Sequence, residues 1–413
     1  MLQNGLFQSD LFQGGLIILS IASLFLCSWI VIPAPIFSLL PLSVGTPEIS
    51  PALLVLNFSI TIALLWTQAF HKPSIIIALG LSIVALIFSA LPIAQLPKTQ
   101  SRTDRDLATF LQSIHSPVDS NIPPSSSSQS LRSQPFSIKD FIQGIPSVAI
   151  RETRHQISAS SPLNFNLYRP SQLGLYPAIV TIYGGAWQRG NPDQDAAFNR
   201  YLAGQGYTVW AISYRHAPEF IFPTQLEDVQ TALKFIQTHA TEYETDLNHV
   251  AIVGRSAGSQ LASLAAYGAS PFPIQGIINF YGPVNLTAGY YNLPTPDPIN
   301  SRSVLKTFLG GTPDEFPDRY VQASPIHAIK PGLPPSLLIY GGRDHIIESS
   351  YGRHLAETLT KNQNTVLFIE IPWADHAFDA VFQGLSSQFS LYYIDRFLAA
   401  ILKHPSRPQS RPQ

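Results

Sequence analysis

The sequence of 413 residues is poor in cysteine and, over its first part, in charge. Cys27 is its one cysteine, which excludes an intrachain disulfide and a cysteine-based zinc cluster. Only Asp10, Glu48 and Lys72 are charged among the first 97 residues. The formal net charge of −1 provides no basic field that would neutralise phosphates, so we expect no nucleic-acid partner.

Long apolar runs take the place of charge in this first part of the chain. Residues 16–32, 52–70 and 75–94 form three such runs, and a helix needs about 20 apolar residues to cross a hydrocarbon core about 30 Å thick. Residues 1–97 are therefore predicted to be an integral, multi-pass membrane segment, with the lipid bilayer as a partner. Three spans are favoured over two. A cleaved signal peptide is disfavoured, because residues 1–10 contain no Lys or Arg.

The sidedness and the ends of the globular part follow from charge and composition. With three spans, Lys98, Arg102 and Arg105 follow the last span, and positive charge favours the cytoplasm for the globular domain. The difference from the other side, which carries Lys72, is small, so the side stays open. Residues 98–136, rich in Ser and Pro, are predicted to be a flexible linker, and residues 404–413 a disordered tail.

Residues 137–403 alternate between short apolar runs and helical patterns. A helical face is indicated by Leu226, Val229, Leu233 and Ile236. The apolar runs are typical of strands buried on both faces, and they are residues 178–182, 209–212, 250–253, 277–280, 337–340 and 366–369. This alternation predicts an α/β fold with a doubly wound, mostly parallel sheet. Residues 148–157 and 163–168 alternate polar and apolar side chains and are predicted to be an antiparallel edge pair.

A candidate nucleophile lies directly after one of these strands. Residues 254–258 read Gly-Arg-Ser-Ala-Gly, between the strand at 250–253 and a helical segment from residue 260. A sharp strand-to-helix turn exposes a serine hydroxyl, and the glycines permit close approach of the backbone. The pattern indicates Ser256 as a nucleophile, although a glycine-rich turn without chemistry is the simpler alternative.

Backbone donors for an oxyanion are predicted at a second glycine turn. Residues 183–187, Tyr-Gly-Gly-Ala-Trp, follow the strand at 178–182. Unhindered N–H groups in such a turn can point at an oxyanion, with the N–H of Ala257 as a further donor. An ordinary glycine turn is the alternative here too.

A serine nucleophile needs a base, which an acid must in turn orient. In a sheet of this type the acid and then the histidine follow the serine along the chain. Asp344 follows the strand at 337–340, and His376 follows the strand at 366–369. Asp375 competes with Asp344 for the role of the acid. The rival histidines are less well placed, and they are His345, His354 and His404.

These motifs together resemble the esterase/lipase group of the α/β-hydrolases that is related to hormone-sensitive lipase and the small bacterial carboxylesterases. Residues 213–219 (Ser-Tyr-Arg-His-Ala-Pro-Glu), 222–223 and 226–229 resemble a segment of that group. The turn at 183–187 resembles its His-Gly-Gly-x-Trp motif, but Tyr183 stands where the family has histidine. The resemblance covers residues 137–402 and not the membrane segment.

The resemblance implies an α/β-hydrolase fold with Ser256 as nucleophile, His376 as general base and then acid, and Asp344 as its orienting acid. It also implies an oxyanion hole formed by the backbone N–H groups of Gly185, Ala186 and Ala257. Residues 284–330 are expected to be a lid-like insertion, since they separate two strands by more than one helix requires.

The function implied is that of a membrane-anchored serine hydrolase that cleaves carboxylic esters through an acyl-enzyme. A small-molecule or lipid ester is the expected substrate, and neither a cofactor nor a metal is expected. Formamide or amide hydrolysis is the nearest alternative. A non-catalytic binding protein on a hydrolase scaffold and acyl transfer to a lipid or sugar are the others. The acyl and alcohol parts of the substrate and the oligomeric state are not predicted.

Overall fold

The computed structural model of the chain describes residues 9–114, 131–158 and 161–402. A group of long apolar helices forms the first part, and a helix-covered sheet forms the second. Residues 115–130 of the predicted linker and the predicted tail at residues 404–413 lie outside the described residues.

The sheet contains eight strands in the order β1-β2-β4-β3-β5-β6-β7-β8. In chain order they are β1 (Ile150–Gln156), β2 (Asn164–Pro170), β3 (Tyr176–Ile182), β4 (Thr208–Ile212), β5 (Thr245–Arg255), β6 (Ile274–Phe280), β7 (Ser336–Gly341) and β8 (Val366–Ile371). Strand β2 pairs antiparallel with both β1 and β4, and all other neighbours are parallel. The predicted strands and the antiparallel edge pair are confirmed.

Thirteen α-helices lie within the described residues. They are α1 (Asp10–Ser28), α2 (Leu40–Glu48), α3 (Ser50–Trp66), α4 (Pro73–Ile114), α5 (Ile138–Gln143), α6 (Ala196–Gly204), α7 (Thr224–His239), α8 (Ala257–Tyr267), α9 (Leu286–Tyr291), α10 (Ser301–Leu309), α11 (Pro317–Gln322), α12 (Ser349–Lys361) and α13 (Leu385–Ile401). Short 3-10 turns occur at Phe37–Leu39, Pro325–Ala328 and Phe378–Ala380.

Burial of the central strands on both faces explains their continuous apolar sequences. Every residue of β4 and β7 is buried, as are six of the seven residues of β3. The helices cover these faces with apolar stripes: Val229, Leu233 and Ile236 of α7 are buried, as the sequence pattern predicts. This rigid sheet holds the loops at the carboxyl ends of β3, β5, β7 and β8, where the candidate site residues lie.

The first part of the chain packs as a bundle of α1, α3 and α4. Its inward polar side chains bond to one another: Ser23 of α1 donates to the side chain of Asn57 in α3 (2.5 Å), which donates to Ser89 in α4 (3.3 Å). Interhelical hydrogen bonds of this kind are common between apolar helices. Large apolar side chains on the outer face are exposed, such as Ile18 and Val55.

Two helices, α1 and α4, are long and apolar enough to cross a membrane. A third span results if residues 37–48 and α3 count together, but these two segments meet at an angle of 78°. The structure thus contains two or three candidate spans near the positions predicted from the apolar runs.

The prediction of a flexible linker from residue 98 is wrong for its first part. Helix α4 continues without a break to Ile114, although Pro92 and Pro97 lie inside it. Its polar second half packs on the helix-covered sheet: Arg102 donates to the carbonyl of Glu370 (2.6 Å), and the Tyr393 hydroxyl donates to Asp104 (2.9 Å). Contacts with the globular domain hold this half in place, which composition could not indicate.

The predicted lid-like insertion at residues 284–330 contains α9, α10, α11 and a 3-10 turn. Phe308 of α10 stacks on Trp187, which follows β3, with ring centres 4.0 Å apart. The insertion therefore packs directly against the turn that was predicted to supply oxyanion donors.

Candidate active site

Ser256 lies at the turn between β5 and α8. Its backbone has φ 49° and ψ −120°, a conformation that is unfavourable for a residue with a side chain. Gly258 makes this turn possible, because a Cβ atom there would lie 2.2 Å from the carbonyl oxygen of Ile182. The helix begins at Ala257, directly after the serine, so its positive end is close to the Ser256 hydroxyl.

The structure brings Ser256, His376 and Asp344 together, although they lie on three separate loops. Nε2 of His376 is 3.0 Å from Oγ of Ser256, and Nδ1 of His376 is 2.7 Å from Oδ2 of Asp344. The side chain of Asp344 is fully buried. Its Oδ1 accepts hydrogen bonds from the backbone N–H groups of Ile346 (2.9 Å) and Ile347 (2.8 Å). This carboxylate is therefore held in one orientation, with Oδ2 directed at the imidazole.

The environment of His376 favours its charged form. Burial acts to lower the pKa of His376, but the negative charge of Asp344 and the hydrogen bond to it outweigh burial. The net effect raises the pKa of His376 above its ordinary value of 6.5. The ring also packs against Tyr281, with ring centres 4.7 Å apart. An imidazole in this place can accept a proton from the Ser256 hydroxyl.

The competing residues occupy other positions. Asp375 accepts a hydrogen bond from the backbone N–H of His376 (2.7 Å) and lies 3.0 Å from Nδ1 of His345, so it does not face the His376 ring. His354 is exposed on α12. His404 lies outside the described residues. Geometry thus selects Asp344 and His376 from the candidates.

The turn after β3 has the tight backbone that the sequence predicts. Gly185 has φ +134°, and a Cβ atom there would lie 2.1 Å from the carbonyl oxygen of Arg189. Ala186 and Trp187 also have positive φ values, of 55° and 59°. Ala186 and Ala257 line the same groove as Ser256. Two of the three predicted oxyanion residues, Ala186 and Ala257, thus lie beside the candidate nucleophile.

Tyr183 holds this turn in a way that the sequence could not specify. Its hydroxyl is 3.0 Å from Nε2 of His216, and its ring stacks on Tyr214 with ring centres 4.6 Å apart. Burial raises the pKa of Tyr183 to about 12, and burial lowers the pKa of His216. The phenol therefore stays protonated, and its hydroxyl donates to the carbonyl oxygen of Tyr214 (3.3 Å). Tyr183 occupies the position at which the resembled family has histidine.

A buried ionic cluster beneath the nucleophile was not found by sequence analysis. Arg255 is nearly fully buried, and its Nε lies 2.5 Å from Asp379 and 3.4 Å from Asp195. The Tyr281 hydroxyl bonds to the same carboxyl group of Asp379, while its ring contacts His376. The cluster links the residue before Ser256 to the loop after His376. Arg255 occupies a variable position of the serine motif, so no local signal marks it.

The serine opens into an apolar groove under the insertion. The groove encloses about 710 Å³ of space, part of it open to solvent. Its wall is mainly aliphatic and includes Leu286, Ile299, Val304, Leu305 and Ile346. Within residues 9–114, 131–158 and 161–402, no group of three or more His, Cys, Asp or Glu side chains is arranged to hold a metal ion. The groove is suited to a substrate with an apolar portion.

The chain is similar in sequence to known ester hydrolases. The BD-FAE family matches residues 165–359. The chain is 29% identical over 242 residues to a probable carboxylic ester hydrolase, LipM, and 29% identical over 248 residues to esterase LipC, both from Mycobacterium tuberculosis. These alignments cover 55% and 56% of this chain. They span 55% of LipM and 60% of LipC, so the chain matches little more than half the length of these relatives.

Solved structures show the same fold. An esterase from Pyrobaculum calidifontis superposes with a TM-score of 0.55 at 23% identity, over 62% of this chain and 87% of that chain. A truncated carbohydrate esterase from gut microbiota superposes with a TM-score of 0.52 at 22% identity, over 61% of this chain and 97% of that chain. With its eight-stranded, mostly parallel sheet and these superpositions, the chain has the α/β-hydrolase fold, and its sequence is similar to the esterases LipM and LipC.

Proposed function

We propose that this protein is a serine hydrolase that cleaves carboxylic esters through an acyl-enzyme. The observation that carries the proposal is the continuous hydrogen-bonded chain from Ser256 through His376 to the buried Asp344. The similarity to LipM and LipC supports an ester as the substrate. The proposal includes Ser256 as nucleophile, His376 as base and acid, and Asp344 as the residue that orients His376.

Acylation follows from the positions of these groups. Oγ of Ser256 attacks the ester carbonyl carbon while Nε2 of His376 takes the hydroxyl proton, a step worth about 10² to 10⁴ in rate. The backbone N–H groups of Gly185, Ala186 and Ala257 stabilise the oxyanion of the tetrahedral intermediate, and each such donor contributes about 10² to 10³. Collapse breaks the bond to the alcohol, which leaves with the proton from His376, and Ser256 keeps the acyl group.

Deacylation uses the same groups with water. His376 takes a proton from a water molecule, whose oxygen attacks the acyl carbon. The second tetrahedral intermediate releases the carboxylic acid and returns the proton to Oγ of Ser256. The charge of Asp344 stabilises the imidazolium in both halves of the reaction.

The first part of the chain is proposed to anchor the enzyme in a membrane as an integral, multi-pass segment. Helix α1 and the apolar first half of α4 are two spans, and α3, with the bent segment of residues 37–48 at its beginning, supplies a third. Their exposed outer faces carry large apolar side chains that water would not favour. The positive residues Lys98, Arg102 and Arg105 favour the cytoplasmic side for the catalytic domain.

The test is labelling and turnover of the full-length protein in membranes. A fluorophosphonate probe should label the wild type, and Ser256→Ala should abolish both labelling and the turnover of 4-methylumbelliferyl acetate. Persistent labelling of the variant would contradict the assignment of the nucleophile. Competing aryl esters against aryl formamides separates ester from formamide hydrolysis, and we expect the ester to be preferred.

A further inference from the structure

The chain between α1 and α3 lies against the catalytic site. We call residues 29–49 the connector; it contains the 3-10 turn at Phe37–Leu39 and helix α2. Trp29, Ala34 and Leu40 of the connector are buried in one apolar cluster with Ile299 and Ile346. The connector therefore packs on the catalytic domain through a continuous apolar contact, and it is more than a link between two helices.

The same two isoleucines form part of the substrate groove. Ile299, from the insertion, and Ile346, two residues after Asp344, line the groove that opens at Ser256. One face of these side chains meets the connector, and another meets the space that a substrate would fill. The connector thus directly backs the wall of the groove.

The connector also contacts the other loops of the site. The guanidinium of Arg189, just after the turn at residues 183–187, lies over the ring of Phe37, with Cζ 4.6 Å from the ring centre. Helix α2 lies against the 3-10 turn at Phe378–Ala380, which follows His376. These contacts bring the segment between two apolar helices to both sides of the nucleophile.

A polar bond fixes the end of the connector. Glu48 is completely buried and accepts a hydrogen bond from the backbone N–H of Ser386 (2.7 Å), in the first turn of α13. The Ser386 hydroxyl also donates to Glu48 and accepts from Nε1 of Trp373 (2.9 Å), three residues before His376. A buried carboxylate is costly unless it is hydrogen-bonded in this way. The connector is thus anchored at one end and packed at the other.

The remaining surface of the connector is apolar and uncovered. Ile32 is 50% exposed and Ile36 is 54% exposed, and neither lines the groove. Both follow α1, one of the two candidate spans. Apolar side chains at the end of a span, next to the wall of a catalytic groove, form a path on which a hydrocarbon chain need not enter water.

We propose that the site acts on long-chain carboxylic esters that reside in the bilayer, and that their hydrocarbon chain enters the groove alongside the connector. This inference rests on the proposed ester hydrolysis and names its substrate class. The groove wall of Leu286, Val304 and Leu305 receives the chain. The ester carbonyl then meets Ser256, while Ile32 and Ile36 hold the connector in contact with the lipid.

The experiment compares two substrates that have the same leaving group. Full-length protein in phosphatidylcholine vesicles is assayed with 4-methylumbelliferyl palmitate in the bilayer and with 4-methylumbelliferyl acetate in solution. The double variant Ile32→Ser/Ile36→Ser should lower palmitate turnover about tenfold, since it removes apolar contact worth more than 1.4 kcal/mol. Acetate turnover should stay unchanged, because neither residue touches the groove.

Leu173→Ser/Leu175→Ser is the matched control. These two leucines are also exposed, at 81% and 63%. They directly precede β3 and so lie near the amino-terminal ends of the parallel strands, whereas the site lies at the carboxyl ends. The control should leave both activities unchanged. Loss of membrane association in any variant is measured by flotation, and unchanged acetate turnover shows that the variant is folded.

The outcomes separate the two proposals. Acetate turnover that depends on Ser256, without palmitate turnover, would overturn the bilayer-substrate inference and leave ester hydrolysis standing. Equal loss of both activities in the Ile32/Ile36 variant, or no loss of either, would also overturn it. If neither ester is cleaved and Ser256 is not labelled, the proposed function itself fails.

Discussion

The hydroxyl of Tyr183 lies 3.0 Å from Nε2 of His216, and these two side chains brace the turn that carries the proposed oxyanion donors. The Tyr183 hydroxyl also lies 3.3 Å from the carbonyl oxygen of Tyr214. A turn with three successive positive φ values needs such support, because its backbone is unfavourable without it.

Tyr183→Phe is expected to weaken this support without disturbing the triad. Loss of the hydroxyl should lower the free energy of unfolding by about 1 kcal/mol and reduce kcat several-fold. Tyr201→Phe is the control, because Tyr201 is a buried tyrosine whose hydroxyl bonds to Asp395 (2.7 Å), away from the groove. It should lose similar stability and keep full kcat. Equal kcat values for the two variants would argue against a bracing role of Tyr183.

Asp344→Asn should remove most of the activity while leaving the fold intact. The two backbone N–H groups at Oδ1 hold an oxygen there, so the amide NH₂ of the variant must face Nδ1 of His376. The imidazole then carries its proton on Nε2, facing Ser256, and cannot act as a base. We expect kcat to fall by about 10⁴-fold.

Asp375→Asn makes the same chemical change one residue before the histidine. Asp375 faces His345 and a backbone N–H and does not face the His376 ring, so the expected loss is less than about tenfold. Steady-state kinetics with 4-methylumbelliferyl acetate measures both variants. A larger loss in Asp375→Asn than in Asp344→Asn would reverse the assignment of the acid.

The fold and the proximity of Ser256, Asp344 and His376 could be predicted from the sequence for two physical reasons. Strands buried on both faces have continuous apolar sequences, which made β3 to β8 recognisable. The elbow around Ser256 requires small residues at fixed spacing, and its partners follow later strands because parallel strands end at one edge of the sheet.

Other features depend on contacts between distant residues and left no local signal. The second half of α4 is polar and follows Pro97, yet contacts such as Arg102 with Glu370 keep it helical. The contact of Glu48 with Ser386 joins residues 338 positions apart. The role of Arg255 depends on two carboxylates from other loops. Neither periodicity nor motif spacing contains this information.

Arg255→Met should strongly destabilise the protein. Methionine has a similar length but leaves Asp379 and Asp195 buried without a cation, and removing one partner of a buried ion pair costs about 3 to 5 kcal/mol. Arg255→Lys keeps the charge and should cost less. Thermal unfolding of both variants in detergent measures the difference, and equal melting temperatures would show that the charge of Arg255 is not what stabilises the cluster.

On the acidic side, kcat/KM should fall to half of its plateau at a pH above 6.5. Protonated His376 cannot accept the proton of Ser256, so kcat/KM rises with pH and levels off above the pKa of His376. The charge of Asp344 raises that pKa above 6.5 although burial opposes it. In Asp344→Asn the charge that raises the pKa of His376 is gone, while the burial that lowers it remains. The residual activity should therefore fall on the acidic side at a lower pH than that of the wild type. Profiles of kcat/KM from about pH 5 to about pH 9 measure both midpoints. An unchanged midpoint in the variant would mean that His376 is not the group whose protonation limits the reaction.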